Sequence, residues 1–330
     1  MKKFSHIYVE RDILKHPITV KILNELKNSV VIEIDRYGDV FNRPKQNYIM
    51  QKQSLNLILA KKRYDFIYKG SELCVNFGYN NFYHTSNILN CLYSCDYCYL
   101  QGMYPSANIV VFVNIEDFFS EVDKLTSDKK IYLSISYETD LLAFEPFIGF
   151  GRRWIEYAAN NDNLLIEIRT KSANIDIYKD MEVPDNVIFA WSILPQPIIE
   201  RYEKLTPSLD MRIRSIKKAI SRGLNVRLSI EPIMYIDDFE NIYVDFINKI
   251  FKELSADKIK DANIGVFRMM KEQAKKIERI MESSPVFCYD TEVKEGVFTY
   301  KNEEYMKNFV YSEVIKYIEK DKVFIQNYSE

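Results

Sequence analysis

Glycine is scarce in this chain, nine of 330 residues. Loops that cradle a phosphate by close backbone approach need glycines at short, fixed spacing, and no such loop is present. Long apolar runs are missing as well: nothing approaches the roughly 18 consecutive apolar residues of a transmembrane helix, so no membrane partner is expected. The basic start, Met1-Lys2-Lys3, leads into no apolar stretch. A secretory signal is therefore not expected, and the expected compartment is the cytoplasm. Neither sign of charge dominates, with 45 lysines and arginines against 47 aspartates and glutamates and a net charge of −2. Nucleic-acid binders usually carry a basic excess, so any such contact here must be local. Cysteine is rare too, at five residues, whereas tyrosine (24) and phenylalanine (20) are abundant.

Those few cysteines are not scattered. Cys91, Cys95 and Cys98 stand in a C-x3-C-x2-C run interleaved with Tyr93, Tyr97 and Tyr99. Thiolates are soft ligands for Fe–S clusters and zinc, and a compact run without a secretory signal points to metal rather than disulfides. Three cysteines on a four-iron [4Fe–4S] cluster leave one iron open to a small molecule. The alternative is tetrahedral zinc, which wants four ligands, usually in two separated pairs. Cys74 or Cys288 could supply a fourth, but no second pair is visible. The run resembles the signature of radical S-adenosylmethionine enzymes, which implies a [4Fe–4S] cluster and S-adenosyl-L-methionine as cofactors. Such a cluster also needs an electron donor, such as a ferredoxin or flavodoxin.

Residues 1–85 read as an N-terminal region packed on the remainder of the chain. It contains an amphipathic helix at 18–26, a strand at 30–34 and a strand-like alternation at 74–77. The basic triplet Lys61-Lys62-Arg63 reads first as a solvated turn. From 86 to 285 strand and helix patterns alternate. Strands are expected at 109–113, 131–136, 164–169, 187–193, 225–230 and 263–267, and helices at 116–125, 154–159, 207–221 and 237–254. Parallel strands need crossover helices, so the fold class is α/β: a partial (β/α)6-type barrel of parallel strands with outer helices. Residues 286–330 read as a hairpin, with strands 286–289 and 297–300, before a final helix at 303–319. One compact unit overall is expected.

Functional loops of such a barrel lie at the carboxyl ends of its strands. There the sequence offers Ser136, Tyr137, Thr139 and Asp140 after the second strand. It adds Lys171 after the third, Ser192 in the fourth and Glu231 after the fifth. Any one polar strand end is ordinary. Agreement across four strands is what S-adenosylmethionine needs, with hydroxyls and charges for its ribose and methionine ends.

The chain resembles the spore photoproduct lyase family on several of these segments. They are the cysteine run ending Cys98-Tyr99-Leu100, the stretch from Val111 to Asp117, Thr170-Lys171, Trp191-Ser192-Ile193, Tyr202-Glu203 through Arg212-Ile213, and Pro232-Ile233. The resemblance implies a carbon–carbon lyase that reverses the 5-thyminyl-5,6-dihydrothymine dimer in ultraviolet-damaged DNA through a 5′-deoxyadenosyl radical. It further implies Cys91, Cys95 and Cys98 on the cluster. Lys171, Ser192, Asp140 and Thr139 would lie toward S-adenosylmethionine, with Ser136 and Glu231 beside them. Tyr97 and Tyr99 would be the tyrosines that relay the radical back.

Three positions depart from the family pattern. Tyr137 stands where a cysteine hydrogen donor is usual, which leaves Cys74, Cys288 or Tyr137 itself to return the hydrogen; Cys74 is the expected donor. Glu231 stands where a small neutral residue is usual. The 288–295 segment has three acids and one lysine where the family is basic, a poor clamp for phosphates, although Tyr289 could stack on a base. An acidic hairpin would also suit a peptide or small-molecule substrate for the same radical chemistry, and a non-enzymatic Fe–S or zinc protein is a further alternative.

Overall fold

The computed structural model describes residues 4–71, 74–281 and 284–325. The basic start at 1–3 and Leu73, which heads the 74–77 alternation, lie outside the described residues. The chain begins with a parallel unit: β1 (His6–Glu10), α1 (Pro17–Glu25), β2 (Val30–Ile34), α2 (Tyr48–Gln53) and β3 (Leu57–Ala60). Pro17 starts α1, where its missing N–H costs nothing, and the expected helix and strand of this region are both present. A short strand, β4 (Phe82–His84), precedes the cysteine run, and β5 (Ile109–Phe112) follows it.

The expectation that 109–113 opens the barrel is corrected here. β5 pairs in parallel with β3, Leu57 opposite Ile109 through Ala60 opposite Phe112, in a first sheet ordered β2-β1-β3-β5 with the Ile88–Leu89 bridge at its edge. Side chains lock that register at both ends. Asn108 Oδ1 accepts from Asn56 N at 3.1 Å, and Asn114 Oδ1 accepts from Lys62 N at 2.8 Å. An apolar run buried on both faces reads the same in either sheet, so the pattern alone could not assign it.

The barrel proper is the second sheet. Along the chain it takes α3 (Ile115–Thr126), β6 (Ile131–Ser134), α4 (Phe150–Ala158), β7 (Leu164–Thr170) and β8 (Val187–Ser192). Then come α5 (Leu209–Ser221), β9 (Asn225–Ile233), α6 (Phe239–Glu253) and β10 (Asp261–Val266). β4, β6, β7, β8, β9 and β10 run parallel in that order. The barrel thus takes its first strand from before the cysteines. Each expected helix is present, and Gly223, with φ 74, closes α5 in the left-handed conformation that favours glycine.

Beyond β10 lie β11 (Arg268–Met270), α7 (Lys271–Ile280), β12 (Thr291–Lys294), β13 (Val297–Tyr300), α8 (Glu303–Val314) and β14 (Val323–Ile325). β14 adds to the barrel edge beside β10, and β11, β13 and β12 form a separate antiparallel sheet. The hairpin is therefore real, but its first strand is β12 rather than 286–289. Pro285–Phe287 is a 3-10 turn, which proline at its first position favours. The 74–77 alternation is not a strand; Phe77 turns the chain with φ 54.

The barrel interior carries paired charge. Arg227, fully buried on β9, forms an ion pair with Asp261, donates to Glu167 and to the Tyr132 hydroxyl (2.7 Å each), and lies 3.2 Å over the Phe77 ring. Buried charge persists only when paired and hydrogen-bonded in this way.

Candidate active site

The cysteine run is a loop held from four sides. Asn90 enters it with φ 68, and its buried side chain donates to the Ser106 and Asn108 carbonyls at 2.8 and 2.9 Å. Lys52, on α2, donates its Nζ to the carbonyls of Cys91 (2.6 Å) and Tyr93 (2.8 Å). Gln101 Nε2 donates to Cys95 O at 2.9 Å. Ser94–Cys95 pairs antiparallel with Glu203–Lys204, which sets Glu203 opposite Cys95. After the loop, Leu100–Met103 makes one helical turn against α7. Gly102 is required there, because a Cβ would stand 2.6 Å from the Gln273 carbonyl oxygen.

Cys91, Cys95 and Cys98 all line one cavity of about 280 Å³. Burial pushes the Cys91 thiol up to about 11 and Cys95 well above the usual thiol range. Thiols so desolvated become metal ligands with release of protons. Neither candidate fourth ligand joins them: Cys74 lies in the adjoining cavity, and Cys288 is exposed with its Sγ 3.7 Å from the Ser284 carbonyl. Among the described residues no three His, Cys, Asp or Glu side chains gather closely enough for a single metal ion. Three thiols around one cavity suit a cluster, whose irons are spread over several ångströms, better than one zinc.

Opposite the thiols stands the polar wall that the barrel strands deliver. Lys171, Ser192, Ser136, Thr139, Asp140 and Glu231 all line this cavity. Asp140 caps the Leu141–Phe144 turn and accepts from Thr170 Oγ1 (2.8 Å) and Lys171 N (2.6 Å), so it shapes the start of the Lys171 loop. Thr139 Oγ1 donates to Asn90 O (2.8 Å), tying this strand end to the cysteine loop. Ser136 bonds the Arg169 backbone through both its N–H and C=O. Burial alone would lower Lys171, but the Glu203 carboxylate 3.9 Å away outweighs it and holds the ammonium charged. Glu203 is in turn ion-paired with fully buried Arg212 and accepts from the Tyr97 hydroxyl. Arg212 Nη1 also donates to Ser192 O at 2.9 Å. One carboxylate thus couples Tyr97, Lys171 and the Ser192 strand end.

A second cavity of about 390 Å³ adjoins the first, sharing Tyr99, Ser136, Tyr137, Arg169, Glu231 and Arg268 as common walls. Its far side is aromatic and apolar, with Phe77, Phe82, Tyr132 and Val266. Cys74 Sγ lies 3.4 Å from Tyr137 Oη across it. The Tyr137 ring stacks on His84 (centroids 4.0 Å, 25°), and His84 stacks on Tyr68. Tyr99 Oη donates to Tyr137 O at 3.1 Å. Burial holds both the Cys74 thiol and the Tyr137 phenol above their usual ranges, hence protonated. Glu231 accepts from Arg268 and Asn263 (2.8 Å each) and from Arg169 (3.2 Å); these arginines outweigh the burial that would otherwise raise its carboxyl.

Tyr289 is not brought to either cavity. The 3-10 turn before it leaves its ring packed edge-on against Tyr235 (4.9 Å) and its hydroxyl accepting from Arg201 (3.0 Å). The hairpin lysine, Lys294, is engaged by Glu292 (3.4 Å) and Glu303 (3.2 Å). Sequence reasoning missed Lys52, His84 and Arg268, whose site partners lie far along the chain, and the double role of Arg169, which pairs with nearby Glu167 (3.1 Å) and distant Glu231 (3.2 Å). For His84 a signal existed: one of three histidines, it closes the strand just before the cysteine run.

A half barrel of parallel strands with three such thiols at the carboxyl ends of its strands defines a radical S-adenosylmethionine enzyme. The family model described as spore photoproduct lyase matches residues 4–324, and the chain belongs to that family. It is 22% identical over 262 residues to the spore photoproduct lyase of Bacillus subtilis (strain 168), covering 76% of this chain and 74% of that one. To the spore photoproduct lyase of Clostridium acetobutylicum it is 22% identical over 269 residues, 79% and 76% of the two chains. Its fold matches a solved spore photoproduct lyase mutant with bound AdoMet and dinucleoside spore photoproduct. The TM-score is 0.83 at 17% identity, over 99% of this chain and 100% of that one.

Proposed function

We propose that this protein is a radical S-adenosylmethionine lyase that reverses the 5-thyminyl-5,6-dihydrothymine dimer in ultraviolet-damaged DNA. The observation that carries this reading is the junction of the two cavities: a three-thiol, cation-bearing compartment opens into an aromatic one that holds a single thiol, Cys74. Cys91, Cys95 and Cys98 would hold a [4Fe–4S] cluster and Lys171 and Ser192 the methionine end of S-adenosylmethionine, and the loaded site supplies a 5′-deoxyadenosyl radical. The electron comes from an external one-electron donor of ferredoxin or flavodoxin type. A reducing compartment, the cytoplasm, suits thiols in this role.

The chain's own residues position and quench. Arg169, Arg268 and Glu231 form a charged belt between the compartments, and Phe77, Phe82 and Tyr132 offer flat apolar surface to the bases while limiting water. Once the bond between the two thymines has broken, Cys74 gives its S–H hydrogen to the remaining carbon radical. Tyr137, hydrogen-bonded to that sulfur, restores the S–H from its O–H. Tyr99, whose ring lies 6.5 Å from that of Tyr137, and Tyr97 in the cysteine loop would relay the radical from Tyr137 back toward the cofactor, with the hydrogen passing the opposite way. Lesion recognition rests on the cavity, since the hairpin lysine is already paired. Incubating the reconstituted, reduced protein with ultraviolet-irradiated spore DNA tests the proposal. Thymine should be recovered in a reaction that requires S-adenosylmethionine, and 5′-deoxyadenosine release without thymine recovery would point to another substrate.

A further inference from the structure

The Leu100–Met103 turn has two sides. Leu100 faces the three-thiol cavity, whereas the residues after it line an outer groove of about 750 Å³ between the start of α2 and the end of α7. Lys45, Lys276 and Arg279 ring this groove, all exposed, and no aspartate or glutamate lines it among the described residues. Between the cations lie Met103 and Ile280, each 43% exposed. Exposed apolar groups rimmed by charge of one sign are a feature of protein-binding surfaces.

The floor of the groove reaches the cysteine loop directly. Gln101 lines the groove, and its Nε2 donates to Cys95 O at 2.9 Å. Tyr48, also in the floor, donates its hydroxyl to Asn90 Oδ1 (3.1 Å), beside Cys91. One helical turn along from Tyr48, Lys52 holds the Cys91 and Tyr93 carbonyls. A partner seated here is separated from the residues that carry the thiols by single side chains, and it does not block the cavity on the other side.

We infer that this groove is the docking surface for an acidic, one-electron carrier protein. The inference rests on the proposed cluster at Cys91, Cys95 and Cys98, and places where its electron enters. The exchange balances simply: the carrier loses one electron, the cluster gains one, and no atom or proton need cross. Opposite charges on the two faces would steer encounter, an effect that salt weakens. Duplex DNA would also be drawn to cations, but a patch centred on methionine and isoleucine with three cations favours a protein.

The test is a charge-reversed full-length variant, K45E/K276E/R279E, reconstituted alongside the parent. Its cluster reduction is followed by stopped-flow absorbance with reduced flavodoxin as the probe, and separately with dithionite. Reduction by flavodoxin at low salt should slow by about tenfold or more, with the gap narrowing as salt rises. Dithionite should reduce both proteins to the same electron paramagnetic resonance signal, and affinity for an irradiated duplex oligonucleotide should be unchanged. The neutral variant K45Q/K276Q/R279Q should fall between, which guards against a folding effect of the reversed charges. Equal flavodoxin rates in parent and both variants would overturn the inference. A parallel loss of duplex affinity with unchanged flavodoxin rates would overturn it in favour of a nucleic-acid face. If dithionite finds no reducible cluster in the parent, the cluster reading itself fails.

Discussion

At the cysteine end of the double cavity, position is fixed by charge and hydrogen bonds: Lys52 and Gln101 on the loop carbonyls, and Glu203 with Arg212 behind Tyr97 and Lys171. At the other end, position is fixed by stacked rings, with Tyr68, His84 and Tyr137 in series and the Cys74 thiol on the last of them. The first end must hold a charged cofactor in one place, so many directional bonds converge on it. The second suits flat bases and sheltered radicals: it offers aromatic surface, and its charged groups are paired with one another, Glu231 with Arg169 and Arg268. Substitutions at the two ends should therefore fail differently.

The largest effect is expected from Cys95→Ala. Iron and sulfide content and 5′-deoxyadenosine production should be lost, while circular dichroism remains that of the parent, because the barrel strands do not depend on the metal. Normal iron content with full activity would contradict this. Next comes Glu203→Gln, which leaves Arg212 buried without its counter-charge. Removing one partner of a buried pair costs about 3–5 kcal/mol, so a denaturant titration should show a midpoint well below the parent's. A shift under about 1 kcal/mol would reduce the pair to the standing of a surface one.

Lys171→Ala touches the same end more gently. Losing a charge-assisted contact of about 1.5–3 kcal/mol should weaken S-adenosylmethionine binding by about tenfold or more with iron content unchanged; unchanged affinity by calorimetry would make it an ordinary strand-end lysine. The smallest effect belongs to the aromatic end. Burial holds the His84 imidazole down to about 4 against an ordinary 6.5. The unfolded chain therefore binds that proton more readily, and stability falls as pH drops from 6.5 toward 4. In His84→Gln the decline over that window should be shallower than in the parent, and identical slopes would show that His84 does not contribute.

This contrast also explains what could be read from the sequence. The cysteine end was legible as one place because its three thiols fall within eight residues and its polar wall sits at strand ends, positions that an alternating strand–helix pattern marks in advance. Cys74 was reached by elimination as the expected donor; the structure places its sulfur 3.4 Å from Tyr137 Oη, and the role itself is left to experiment. The assignment of β5 to the barrel failed because an apolar run buried on both faces carries no mark of its neighbour, and Asn108 and Asn114 fix it only through residues some fifty positions away. The hairpin boundary was misplaced for a related reason: Pro285–Phe287 is a 3-10 turn, so the strand starts downstream, and Tyr289 between them packs against Tyr235. Lys52 and Arg268 are single charged residues whose site contacts, the Cys91 and Tyr93 carbonyls and Glu231, lie far along the chain, and Arg169 joins nearby Glu167 to distant Glu231.

The division of labour between the two ends is tested most directly by one ratio, thymine recovered per 5′-deoxyadenosine released, measured in Cys74→Ala against the parent on dinucleoside spore photoproduct. The cysteine end is untouched by this substitution, so 5′-deoxyadenosine should still form. The product radical, deprived of its thiol, should be diverted, and the ratio should fall with side products replacing thymine. A ratio equal to the parent's, with clean thymine, would contradict the account and return the donor's role to another residue.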